Sequence, residues 1–110
     1  MGRTSQRKGA EGERELAALL RDYGFATKRG GSLSFGEVPD LTGLPGVHIE
    51  CKRVERLNVP EAINQAVRDA AEGSLPVLAH RRNREKWLVT MPLLQLIEIL
   101  KSGGVINGNQ

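Results

Sequence analysis

Val47-His48-Ile49-Glu50-Cys51-Lys52 is the stretch on which the reading of this chain turns. Side chains alternate along a strand, so Val47, Ile49 and Cys51 share one face, and His48, Glu50 and Lys52 the other. Glu50 and Lys52 then stand side by side, roughly 6.5 to 7 Å apart along the backbone. Upstream, Pro39-Asp40 opens another apolar run, Asp40 to Leu44, joined to Val47–Val54 by a tight turn at Pro45-Gly46. If the two strands are neighbours, about 4.8 Å apart, Asp40 converges with Glu50 on one cation. Carboxylates that close repel each other unless a proton or a metal intervenes. A hard divalent ion such as Mg²⁺, bound through oxygens with several waters retained, suits these ligands, and Mn²⁺ is its expected substitute. His48 and Cys51 fall on opposite strand faces and do not converge on a softer metal.

These residues point to hydrolysis of a phosphodiester. A metal there polarises the phosphoryl oxygens and lowers the pKa of a bound water. Lys52 is placed to orient or deprotonate that water, or to neutralise charge developing on phosphate. The backbone carbonyl of Cys51, lying between Glu50 and Lys52, is a further candidate metal ligand, whereas its thiol faces the core side and reads as a small hydrophobe. A bare Glu-x-Lys occurs by chance in many proteins. Pro-Asp followed about ten residues later by Glu-x-Lys on an apolar strand is the more specific signal.

Working outward, Leu16, Leu19, Leu20 and Tyr23 recur at helical spacing and predict a first helix from about Ala10 to Tyr23, stopped by Gly24. Phe25 to Arg29 reads as a short strand, followed by a Gly30-Gly31-Ser32 loop. After the two central strands, a second helix is expected from near Asn58, with Pro60 in its first turn, to Gly73. Its apolar stripe is Val59, Ala62, Ile63, Ala66, Val67 and Ala70. Pro76–His80 and Trp87–Met91 read as a hairpin with a basic loop, and Pro92–Lys101 as a last helix. The order is helix, three strands, helix, two strands, helix: an α/β fold with a mixed sheet flanked by helices. Residues 1–9 read as a basic flexible arm, 10–101 as a single domain, and 102–110 as a Gly- and Asn-rich flexible tail. The last helix is apolar on most of its circumference and needs covering by the sheet or by a second subunit.

Bulk properties fit one small domain: 110 residues, 39% hydrophobic, only 4% aromatic, so the core rests on aliphatic side chains. One cysteine excludes an intramolecular disulfide and a zinc cluster, and favours a reducing, cytoplasmic setting. No apolar stretch is long enough for a membrane span or a signal peptide, so no membrane partner is expected. The net charge of +3 is modest, but its distribution is informative. Arg3, Arg7 and Lys8 precede any acid, Lys28 and Arg29 form a second cluster, and Lys52, Arg53 and Arg56 a third. These three flank the candidate chemistry. The fourth, Arg81, Arg82, Arg84 and Lys86, reads as a solvated surface run.

With Pro39-Asp40 and Glu50-Cys51-Lys52 in place, the chain resembles the PD-(D/E)XK nuclease superfamily. The run Arg7-Lys8-Gly9-Ala10-Glu11-Gly12-Glu13-Arg14-Glu15-Leu16, then Gly24-Phe25-Ala26 and Arg29-Gly30-Gly31-Ser32, is similar to archaeal-type Holliday junction resolvases and to related short phage and prophage proteins. The likeness is dense over roughly Arg7 to Arg53 and thin beyond. It implies a restriction-endonuclease-like fold, a homodimer, and Mg²⁺-dependent cutting of branched DNA of the kind met in DNA recombination and repair. By position, the resemblance puts a glutamate that supports metal binding and catalysis at Glu13. It puts a DNA-contacting arginine at Arg14 and phosphate-side residues at Arg29 and Ser32; Lys8 joins them as a DNA-binding residue. Periodicity alone does not single out Glu13, which lies roughly 70° from the centre of the Leu16, Leu19, Leu20 and Tyr23 stripe, with Glu15 at about 90°, at 100° per residue. Glu11 and Glu15 read as boundary or solvent acids.

Other residues read as structural. His48 is expected at a solvent-facing or edge position, His80 and Trp87 in packing, and Gln65 exposed, roughly 140° from the second helix's stripe. Two alternatives stand beside the resolvase reading. One is a nuclease of the same fold acting on nicked, flapped or duplex DNA. The other is a non-catalytic DNA-binding or assembly protein, which has no need to keep two repelling carboxylates together.

Overall fold

The computed structural model describes residues 2–30 and 39–103, and side chains from residue 9 on. Eight elements follow in the expected order: α1 Gly2–Asp22, β1 Lys28–Arg29, β2 Leu41–Thr42, β3 Val47–Arg53, α2 Val59–Asp69, β4 Leu75–Arg81, β5 Leu88–Thr90 and α3 Leu93–Lys101. The strands form one five-stranded sheet in the order β1-β2-β3-β4-β5. All neighbours are antiparallel except β3 and β4, which run parallel with α2 as their connection. The α/β mixed sheet is the architecture expected. One boundary differs substantially: α1 starts at Gly2 rather than Ala10, so the backbone of the expected arm continues the helix. The expected tail lies outside the described residues from 104 onward.

Two faces of β3 are covered, and this decides the character of the site. On one face α1 lays Leu16 and Ala17 against Leu41, Ile49, Cys51, Val77 and Ala79, all buried. Gly12 permits this approach, because a Cβ there would sit 2.9 Å from Arg53 Cβ. Leu19 and Tyr23, part of the predicted stripe, are exposed instead. On the other face α2 presents Ala62 and Ala66, both buried, towards a strand face that carries His48, Glu50 and Leu78. Alanines let the helix lie close to the sheet. Asn58 caps α2 by accepting the Glu61 N–H at 3.1 Å, with Pro60 in the first turn.

The ends of the molecule are held differently. Buried Thr27 donates through its hydroxyl to the Ala17 carbonyl at 2.9 Å, and Arg21 donates to the Thr27 carbonyl at 2.7 Å, so β1 is tied to α1. At the far side Arg81 on β4 forks onto Glu15 of α1, at 2.7 and 2.9 Å, and Trp87 donates to the same carboxylate at 3.1 Å. Glu15 is therefore no free solvent acid but the clamp between α1 and the β4–β5 hairpin. By contrast α3 buries none of its residues, and Leu93, Leu94, Leu96, Ile97 and Leu100 are exposed among the described residues.

Candidate active site

Asp40 sits just before β2, where its backbone N–H donates to the Ile49 carbonyl at 2.9 Å. Its carboxylate reaches across and accepts the Cys51 backbone N–H at 2.7 Å. That bond brings the Asp40 carboxylate to the strand bearing Glu50, close enough for the two acids to interact. Glu50 is only 6% exposed. Burial first, then the negative charge of Asp40 and that of Asp69, push its carboxyl up to about 8, while Lys52 pulls the other way. A carboxylate pair this disfavoured when ionised gains most from a cation, and the oxygen-rich donor set, including the Cys51 carbonyl, suits a hard divalent ion. Among the described residues no three His, Cys, Asp or Glu side chains group around one point, so a bound ion would complete its shell with carbonyl and water oxygens.

Behind Glu50 stands His48. It is 3% exposed, not at the solvent-facing or edge position expected from the strand pattern, and its Nε2 lies 2.7 Å from Glu50 Oε2. The strand is sandwiched by helices, so its polar face is as dry as its apolar one. Burial lowers the His48 pKa, against the opposing pull of Asp69 and Asp40.

Cys51 faces the α1 side as expected. Burial, then the charges of Asp40, Glu13 and Glu15, push its thiol to about 12, which leaves it protonated and inert at neutral pH.

Lys52, half-buried, opens into a cleft of about 260 Å³ bordered by Arg56, Asn58, Glu61 and Gln65. Gln65 is thus half-buried beside Lys52, contrary to the exposed position expected. The alanines that touch the sheet, Ala62 and Ala66, set the true inner direction of α2, and Gln65 lies roughly 80° from their mean at 100° per residue. Val67 had pulled the predicted stripe outward, yet it is 46% exposed. Arg56 also lines an adjoining cleft of about 490 Å³, together with His80, Arg82, Lys86 and Leu88. His80 accepts or donates a 3.0 Å bond with Thr90 Oγ1, in keeping with a packing role.

Of the residues named by resemblance, Glu13 and Arg29 meet each other: Arg29 Nε donates to Glu13 Oε1 at 2.9 Å. Glu13 does not join Asp40 and Glu50 in a three-acid group. Arg14 is exposed on α1. Ser32 and the Lys8 side chain lie outside the described residues.

A mixed sheet with a Pro-Asp carboxylate beside β3 and a Glu-x-Lys on it defines the PD-(D/E)XK nuclease class, in the restriction-endonuclease-like fold. A family model described as "Phage putative PDDEXK endonuclease" matches residues 4–107, and the chain belongs to that family. Nucleases of this superfamily generally depend on divalent metal ions. Among the solved structures that match is the 1.6 Å structure of Hjc from Archaeoglobus fulgidus, described as a Holliday junction resolvase from an archaeal hyperthermophile. It is 25% identical, with a TM-score of 0.55 over 76% of this chain and 72% of that one. No curated protein matches the chain. No helix among the described residues is long and apolar enough to cross a membrane.

Proposed function

We propose that the protein is a Mg²⁺-dependent DNA endonuclease that cuts branched DNA as a Holliday junction resolvase, working as a homodimer. The observation that carries the chemistry is the mutually repelling pair of half-buried Asp40 and buried Glu50, with Lys52 two residues further along the same strand face. A protein that only bound DNA would gain nothing from this pair, which costs folding free energy when both groups ionise.

Asp40, Glu50 and the Cys51 carbonyl would hold the divalent ion, whose chemistry when bound would be polarisation of the scissile phosphate and acidification of a water. Asp40 is held for this by the Cys51 N–H, which fixes one of its carboxylate oxygens. Lys52 orients the attacking water and offsets charge on the phosphoryl oxygens. Glu13 holds the Arg29 guanidinium in place for a backbone phosphate, so the two act as a pair. Arg14, Lys8 and Ser32 extend the same phosphate track. The branched substrate is supported by the likeness to the Hjc resolvase, and the dimer by the bare apolar surface of α3.

The deciding experiment is cleavage with Mg²⁺ of a four-way junction set against linear duplex, nicked duplex, flap and single strand. Preference for the junction, with paired symmetric cuts, is expected. Equal cutting of flap or plain duplex would replace the resolvase reading by a nuclease of broader target, and no cutting of any substrate would end the enzymatic reading.

A further inference from the structure

His48 is a buried imidazole that neither the nuclease motif nor the resemblance assigns. It lies on the same face of β3 as Glu50, two residues away, 3% exposed, beneath α2. Its Nε2 is 2.7 Å from Glu50 Oε2, a short hydrogen bond. A carboxylate can only accept, so with Glu50 ionised the ring must carry its proton on Nε2. One glutamate oxygen is then occupied, and the freedom of Glu50 about its last torsion is removed.

We propose that His48 is a positioning residue: its Nε2–H fixes one oxygen of Glu50 so that the other is presented, together with Asp40, to a divalent cation. This rests on the metal-nuclease reading of the site and adds a second layer to it. Asp40 is oriented by the Cys51 N–H at 2.7 Å. His48 would do for Glu50 what that peptide does for Asp40, so each ligand is held by a donor of the same strand. Partners of metal ligands that lock their orientation typically matter about 10- to 100-fold in metal affinity or activity.

The test is Mn²⁺ affinity, read as free Mn²⁺ by electron paramagnetic resonance at one fixed pH, with no nucleic acid present. His48→Leu should weaken binding about 10- to 100-fold. His48→Gln, whose amide N–H can reach the place of Nε2, should stay close to wild type, while the shorter His48→Asn should bind as poorly as the leucine variant. The Gln and Asn variants are both polar and of similar size, so their contrast decides the matter even if the leucine variant does not fold. Equal affinities for Gln and Asn variants would overturn the proposal, because a merely structural histidine would shift melting temperature and leave the affinity of folded protein unchanged. Asp40→Asn is measured alongside. If it loses Mn²⁺ while every His48 variant matches wild type, the positioning role alone falls; if Asp40→Asn binds as wild type does, the metal site falls and His48 with it.

Discussion

The Asp40 carboxylate accepts the backbone N–H of Cys51 at 2.7 Å, so the position of one acid is set by the strand that carries the other. An amide in place of the acid keeps this acceptor, because Asn Oδ1 can take the same N–H. Asp40→Asn and Glu50→Gln should both abolish cleavage while the fold persists, and Asp40→Asn should also keep the melting temperature. Asp40→Ala should differ from Asp40→Asn in stability: it leaves the Cys51 N–H unpaired, at a cost of about 1 to 3 kcal/mol. Cleavage assays and thermal melts on the three variants check both halves. Wild-type turnover by Asp40→Asn or Glu50→Gln at saturating Mg²⁺ would sink the metal-site assignment.

Lys52→Ala should lose activity yet keep metal and DNA binding, since the lysine's work is placed in the transition state. The signature is a fall in kcat with little change in DNA affinity. If the variant cuts normally, Lys52 is only a surface companion of Glu50.

The strand placement of the candidate residues was legible in the sequence because it follows from strand alternation: Glu50 and Lys52 on one face, Cys51 on the other, Asp40 at the neighbouring strand's start. What strand alternation does not tell is whether the second face is wet. His48 looked solvent-facing because a polar residue on an alternating strand usually is. Here β3 pairs in parallel with β4 through α2, and that helix covers the polar face. The parallel pairing, not the local pattern, buries His48 and Glu50. Gln65 was misplaced for a related reason. Hydrophobicity gave Val67 weight in locating the inner face of α2, whereas closeness to the sheet selects the small Ala62 and Ala66. Glu15 was lost to sequence reading because its partner Arg81 is 66 residues away.

Metal-free Glu50 should leave a sign in the pH dependence of stability. Its carboxyl is raised from the ordinary 4.5 to about 8 in the folded chain. Between those values the native state holds more protons than the unfolded one, so this group's contribution is full below the ordinary pKa and is lost as pH climbs towards the folded value. Glu15 works in the opposite sense: its bonds to Arg81 lower its pKa, and its contribution is lost as pH falls. Thermal melts in EDTA from about pH 5 to pH 8 should show Glu50→Gln gaining on wild type as pH rises. Parallel curves would mean that Glu50 ionises as an ordinary surface acid.

The fork between Arg81 and Glu15 fastens α1 to the hairpin, with Arg81 also 5.6 Å from the Trp87 ring. Glu15 keeps 40% of its side chain exposed, so the pair is partly screened. A double-mutant cycle of Glu15→Gln and Arg81→Met should give a coupling of about 1 kcal/mol, well below a fully buried pair. Trp87 emission should shift in both single variants, as its indole N–H also bonds Glu15. A coupling near zero with unmoved emission would show the clamp to be absent in solution.

Assembly gives the last prediction. Leu93 and Leu94 at the start of α3 are 68% and 73% exposed, and on β5 just before them Leu88 and Val89 are 59% and 61% exposed. Among the described residues β5 is also an edge strand of the sheet. Exposed apolar side chains on a helix and on an edge strand are surfaces that monomers rarely leave to water. A second copy related by a two-fold axis covers both with the same patch on each side. On the proposed resolvase reading it would also supply the second active site needed to cut two symmetric strands of a four-way junction. Light scattering at micromolar concentration should give twice the 12.0 kDa chain mass. Leu93→Glu with Leu94→Glu should return the protein to one chain while α1, the sheet and the Asp40–Glu50 site stay folded, since α3 contributes nothing to the buried core. On a junction that variant should nick one strand at a time where the wild type cuts both within one encounter. A wild-type protein that remains monomeric on DNA, with nicking kinetics equal to the double variant's, would remove the dimer and with it the paired-cut mechanism.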